Sequence, residues 1–184
     1  MGKNQQWLAA AVCAVVFLIS SGCVLTSRTQ HTVNNFDLSA PAQIHLQDQF
    51  TISSFRNFSP SRTRMFYRQS SNRIVQDEYN CWIQSPEAML QRIFTLTFPL
   101  NARKNAENLS ELRVDILAFE FDLKTQEAYL ALNYTLKNPD SRQTGAVSIR
   151  EKAANATAPA FAEAMNQAAA KATQQIWKII QTAK

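Results

Sequence analysis

Apolar and polar positions alternate with a period of two through most of this chain and change to helical spacing twice. Thr32–Leu38 and Gln43–Ser53 read as strands, and in the second Ile44, Leu46, Phe50 and Ile52 share one parity. Asn57–Ser61, with Pro60, reads as a loop. Arg64–Arg68 and Arg73–Tyr79 read as a strand pair around Gln69–Asn72. The first helical stretch starts at Ser85-Pro86: a capping hydroxyl, a proline suited to the first helical position, and Glu87 in the positive first turn. Ala88, Met89, Leu90, Ile93, Phe94 and Leu96 give an apolar face through about Thr97, and Pro99 ends the helix. Asn101–Asn108 is a polar connection.

The second half repeats the plan of strands followed by a helix, without a close sequence repeat. Leu112, Val114 and Ile116 are apolar on even positions, whereas Leu117, Phe119 and Phe121 are apolar on odd ones. A β-bulge near Ile116-Leu117 would keep both sets on the core side. After a hairpin turn in Asp122–Gln126, Ala128, Leu130, Leu132, Tyr134 and Leu136 alternate strictly with their neighbours. Asn138-Pro139-Asp140-Ser141 signals a second turn, and Gln143–Glu151 a third antiparallel strand. The last helix starts near the capping residue Thr157, with Pro159 in its first turn. Phe161, Met165, Ala168, Ala172, Ile176 and Ile179 form its stripe over roughly 36 Å to Thr182. The pattern predicts an α+β fold in a single domain, an antiparallel sheet with two helices packed on it.

Composition narrows the chemistry. Of 184 residues, 46% are hydrophobic, enough for a core, and the formal net charge is +5. Glycine occurs only at positions 2, 22 and 145. Phosphate loops and dinucleotide fingerprints need clustered glycines that let backbone N–H groups crowd a phosphate, so those folds are excluded. The two histidines, His31 and His45, lie on different predicted strands without an acidic neighbour at ligand spacing, which leaves little for metal or triad chemistry. Asp115, Glu120, Asp122 and Glu127 cluster in the second hairpin. Paired carboxylates can perform acid–base work, but acids alternating with apolar residues are normally the wet face of a strand.

The first 23 residues set the compartment. Lys3 precedes Trp7–Ile19, an uncharged apolar run shorter than the ~20 residues a membrane-spanning helix requires. Small residues follow, as in a secretory signal. Leu18-Ile19-Ser20-Ser21-Gly22-Cys23 resembles the bacterial lipobox, which implies cleavage before a lipidated Cys23; Ser20 stands where leucine is usual. On this reading residues 1–22 are a lipoprotein signal peptide, 23–31 a short tether and 32–184 the folded domain. Cys13 leaves with the signal, so Cys81 has no intrachain partner and reads as a buried, inert thiol.

One segment is unusual. Gln49–Gln76 holds no acid but carries Arg56, Arg62, Arg64, Arg68 and Arg73, interleaved with Phe50, Phe55, Phe58, Phe66 and Tyr67. Export argues against nucleic acid, so Arg62, Arg64 and Arg68 are candidates to face anionic lipid or an acidic partner, the alternative being a solvated basic face. If Phe66 is core, Arg64 and Arg68 point inward and Tyr67 outward. Trp82 reads either as a partner anchor or as a core residue covering the start of the Pro86 helix.

Phe66-Tyr67-Arg68, the strand ending at Tyr79, then Trp82, Pro86 and a helix resemble the core of the ABC-type transport auxiliary lipoproteins. Phe36-Asp37-Leu38, Phe119-x-Phe121-Asp122 with Ala128-Tyr129-Leu130, and the closing Ala/Asn/Gln-rich helix fit the same family. Cys81 before the tryptophan and Ile83 after it depart from the usual pattern. The resemblance spans Thr32–Lys184. It implies a non-catalytic periplasmic subunit without cofactor or metal. Such a subunit works with MCE-domain proteins and inner-membrane transporter components to move lipids or other hydrophobic solutes, and self-association into a homo-oligomer is compatible with that role. Val24 after Cys23, in place of aspartate, favours the outer membrane. A lipopolysaccharide-assembly-type adaptor, or an envelope enzyme with a carboxylate site, is the alternative.

Overall fold

Alternation without interruption builds strands, and the computed structural model, which describes residues 32–39, 50–98 and 110–182, places seven of them in one sheet. They are β1 (Asn34–Phe36), β2 (Phe50–Asn57), β3 (Arg64–Ser70), β4 (Arg73–Trp82), β5 (Ser110–Asp122), β6 (Glu127–Lys137) and β7 (Arg142–Lys152). Two helices, α1 (Pro86–Thr97) and α2 (Ala158–Thr182), follow β4 and β7. The sheet order is β1-β4-β3-β5-β6-β7, with β2 also on β5.

The sheet is mixed, which corrects the antiparallel expectation. β3–β4, β5–β6 and β6–β7 are antiparallel. β1 runs parallel to β4, and both β2 and β3 run parallel to β5. One edge of β5 is taken by β6 along its length. The other edge is shared: β2 covers Ser110 to Ile116, and β3 resumes at Phe121 and Asp122. Phe50–Ser70 therefore follows β5 as one strand interrupted by residues 58–63. Periodicity cannot reveal this, because the same alternation serves either strand direction.

The bulge inferred from the phase change in β5 is present: the β5–β6 register shifts between Ile116 and Ala118. Leu112, Val114, Ile116, Phe119 and Phe121 are all buried. Leu117 is itself the bulged residue and is 45% exposed, so it does not join the core. A second register shift, between Ile52 and Ser54, turns Phe55 inward after Phe50. β1 is shorter than the Thr32–Leu38 strand expected. Ile44, Leu46, His31, His45 and the 101–108 connection lie outside the described residues.

Both helices lie on one face of the sheet, α1 against β2 and β5 and α2 against β6 and β7. Met89, Leu90, Ile93 and Phe94 are fully buried, whereas Leu96, expected on the same face, is exposed. Ser85 caps α1 only through its backbone: its carbonyl accepts from Met89 N–H at 3.0 Å, and its hydroxyl makes no capping bond. Ala164, Ala168, Ala169 and Ala172 bring α2 close to the sheet, with Met165, Ile176 and Ile180 filling the seam. Among the described residues no helix is long and apolar enough to cross a membrane.

Aromatic rings join the layers. Trp82, Phe119, Phe121, Tyr67 and Phe161 meet edge-to-face or tilted, at 4.9–5.9 Å between centroids. Phe98 stacks at 5.6–5.8 Å with Phe50, Phe94 and Trp177, linking the end of α1 to α2. Each such pair adds about 0.5–1.5 kcal/mol to the burial of its rings.

Candidate functional site

The face of the sheet turned away from the helices carries the polar partners of the buried positions. Registers lay it out in rows, because directly opposite residues point the same way. One row runs Arg56, Asp115, Asn133, Ala146; another Ala118, Ala131, Ser148; a third Glu120, Tyr129, Arg150.

The four acids of the second hairpin are all met by guanidinium groups. Arg56 donates to both oxygens of Asp115, at 2.7 and 2.6 Å. Arg68 donates to both oxygens of Glu120, at 2.5 and 2.9 Å. Arg150 lies 4.0 Å from Asp122 and 3.8 Å from Glu127, with its guanidinium 4.0 Å above the Tyr129 ring. These carboxylates are engaged in ion pairs instead of converging on a common pocket. Among the described residues no group of His, Cys, Asp or Glu side chains could hold a metal ion.

The arginine-rich segment divides. Met65 and Tyr67 point to the helices, so Arg64, Phe66 and Arg68 share the outer face, the reverse of the arrangement with Phe66 in the core. Arg68 is committed to Glu120, which is 3% exposed, and to the Ser71 carbonyl at 2.9 Å. Of the three candidate arginines it is therefore the one engaged within the fold, because burial of the acid demands its cation. Arg64 donates to the Glu78 carbonyl and keeps partial exposure. Arg62 is exposed and makes one long bond, 3.3 Å, to the Ser59 carbonyl. Trp82 is 2% exposed between Phe119 and Phe161, so it is a core residue and not a partner anchor. Cys81 is free and buried, while Cys23 lies outside the described residues.

The loop expected at Asn57–Ser61 lies between β2 and β3; what sequence reasoning missed is its internal order and the side chains it exposes. Asn57 organises it: its side chain accepts from Ser59 N–H and hydroxyl, at 2.9 and 2.7 Å, and donates to the Ser61 carbonyl at 2.6 Å. Ser61 in turn donates to the Arg64 carbonyl at 3.0 Å. Ser59 and Ser61 are buried, yet Phe58 between β2 and this turn is 60% exposed. Phe58 N–H donates to the Ile116 carbonyl at 2.8 Å, which sets Phe58 beside the chain at the exposed bulge residue Leu117. The Arg56 guanidinium stands 5.1 Å from the Phe58 ring. A fixed loop thus presents Phe58 and Arg62 to solvent with Leu117 close by. Such preformed aromatic–arginine surfaces suit partner contacts, because little side-chain entropy is lost on docking. The sequence signal was the acid-free run; the backbone bond that seats Phe58 beside the bulge involves a strand far along the chain.

On the helix side, Asp77 shapes the end of β4. Its carboxylate accepts from Tyr79 N–H, Asn80 N–H and the Asn80 side chain at 2.8–2.9 Å. Burial pushes its pKa upward, but these bonds and the Tyr67 hydroxyl together outweigh burial and hold it below the usual carboxylate range. Burial, with the Asp77 carboxylate adding to it, holds the Tyr67 hydroxyl protonated well above its ordinary range.

A family model described as ABC-type transport auxiliary lipoprotein component matches residues 61–177. Several solved structures share the fold, two of them as follows. One is a crystal structure titled only as an uncharacterized protein, with TM-score 0.65 and 11% identity over 81% of this chain and 99% of that one. The other is a Xanthomonas campestris protein of the family-model DUF330, with TM-score 0.61 and 18% identity over 83% of this chain and 97% of that one. No curated protein is significantly similar in sequence.

Proposed function

Because this chain belongs to the ABC-type transport auxiliary lipoprotein component family, we propose that it is a non-catalytic adaptor of an envelope transport system. In this reading Cys23 carries lipid and holds the chain at the outer membrane, facing the periplasm. The folded domain docks on an MCE-domain protein that, with an inner-membrane transporter, moves lipids or other hydrophobic solutes. The observation that carries the adaptor role is the loop 58–63, which is fixed by its own hydrogen bonds and yet exposes Phe58 and Arg62. Arg62 and Arg64 at its border suit an acidic partner surface, since a guanidinium binds carboxylates at two points. The pairing of Asp115, Glu120, Asp122 and Glu127 with arginines favours this over a carboxylate enzyme.

The test is purification of the full-length, tagged chain from detergent-solubilised envelopes. The MCE-domain protein should co-purify, and Arg62→Glu combined with Phe58→Ser should lose it at unchanged thermal stability, whereas Lys178→Glu should retain it. Retention of the partner by the double variant would refute the docking surface. Mass spectrometry of the mature amino terminus should find a lipidated Cys23; an unmodified terminus elsewhere would remove the anchor from the account.

A further inference from the structure

The face of the sheet turned away from the helices is not uniform. Around Asp115, Glu120, Asp122 and Glu127 its acids are met by Arg56, Arg68 and Arg150. At its other end, where β2 and β5 begin and the β6–β7 hairpin closes, Arg113, Lys137 and Arg142 surround a shallow depression of about 250 Å³ together with Ser53, Thr135 and a single acid, Glu111. None of these three cations takes part in an ion pair among the described residues. Lys137 and Arg142 stand directly opposite each other on neighbouring strands, an arrangement in which like charges repel. Arg113 is steadied through its Nε, which donates to the Ser54 hydroxyl at 3.2 Å, so its two Nη groups remain for another acceptor.

We infer that this depression, bordered by Arg113, Lys137 and Arg142, is a binding site for a phosphate-type oxyanion. Two guanidinium groups and an ammonium exceed the charge of Glu111, and an anion between Lys137 and Arg142 turns their repulsion into shared attraction. The Thr135 hydroxyl, also in the lining, supplies a further donor. The same chemistry belongs to a phospholipid headgroup and to free phosphate. This inference stands apart from the docking loop and does not rest on the transport role.

The experiment is calorimetric titration of the full-length chain in neutral detergent micelles, first with inorganic phosphate and then with micelles doped with phosphatidylglycerol. Saturable binding of phosphate supports the site as one for soluble anions; binding only to the doped micelles supports it with the headgroup as the source. In either case Arg113→Gln and Arg142→Gln should each weaken binding about tenfold or more, at unchanged melting temperature, and Lys178→Gln should leave it unaltered. Absence of saturable binding to both probes, or an equal loss in Lys178→Gln, would overturn the inference.

Discussion

Arg68 on β3 and Glu120 on β5 form a two-point ion pair across the junction of the two halves of the sheet. The register partner of Arg68 is Asp122, so the guanidinium reaches back along the same face to Glu120. Arg68 keeps 27% of its side chain exposed, but Glu120 only 4%. Removal of the cation therefore strands a buried acid. Arg68→Met should cost about 3 kcal/mol, the lower end for a broken buried pair, because water reaches the arginine side. In thermal melts that corresponds to a drop of about 6–12 °C. Arg68→Met with Glu120→Leu should recover most of the loss. If Arg68→Met melts like the parent, the pair is not structural.

Gly145 on β7 lies directly opposite Tyr134 on β6. A Cβ at position 145 would come within 2.5–2.8 Å of the Tyr134 ring and hydroxyl, and Tyr134 is 7% exposed. The ring has taken the space that a side chain would fill. Gly145→Ala should therefore destabilise by about 1–3 kcal/mol through overpacking. In urea melts the double variant with Tyr134→Ala should show favourable coupling; strict additivity would mean that the contact carries no strain.

Asp77 gives a pH signature. Its carboxyl titrates below the usual range in the folded chain, so between the folded and unfolded values the unfolded state binds more protons. Its stabilisation is fully present above the ordinary carboxylate value, about pH 4, and is lost as pH falls below that through the lowered folded value. Urea melts should show Asp77→Asn less stable than the parent at about pH 6, with the gap narrowing towards about pH 3. A gap that stays constant with pH would assign the effect to packing.

Much of this architecture is legible in the sequence where one residue pair decides it. The phase change at Ile116-Leu117 announces the bulge, and the strict alternation from Ala128 to Leu136 announces β6 with its inward face. Two kinds of information were hidden. Strand direction between the halves depends on a crossover through α1, and periodicity is blind to it. The facing of β3 depends on which of two adjacent aromatics enters the core. Tyr67 does so, with its hydroxyl close to Asp77 at the rim, and this sends Arg68 to Glu120 instead of to solvent. The functional surfaces were hidden for a related reason. Phe58 comes beside the Ile116-Leu117 bulge only through pairing of strands far apart in the chain, whereas Arg113, Lys137 and Arg142 gather across consecutive strands, where the register decides which side chains share a face. The acid-free run located the first of these regions, but parity alone could not say which of its arginines stay available.

The central claim is that the loop 58–63 docks this lipoprotein on its transport partner. Its most direct test is photo-crosslinking in intact cells, with a photoreactive residue at Phe58 of the full-length chain and, as a control, at the exposed Gln174 on α2. Crosslinking to the MCE-domain protein from position 58 and not from position 174 is the expected result. No adduct from position 58, or equal adducts from both positions, would contradict the account.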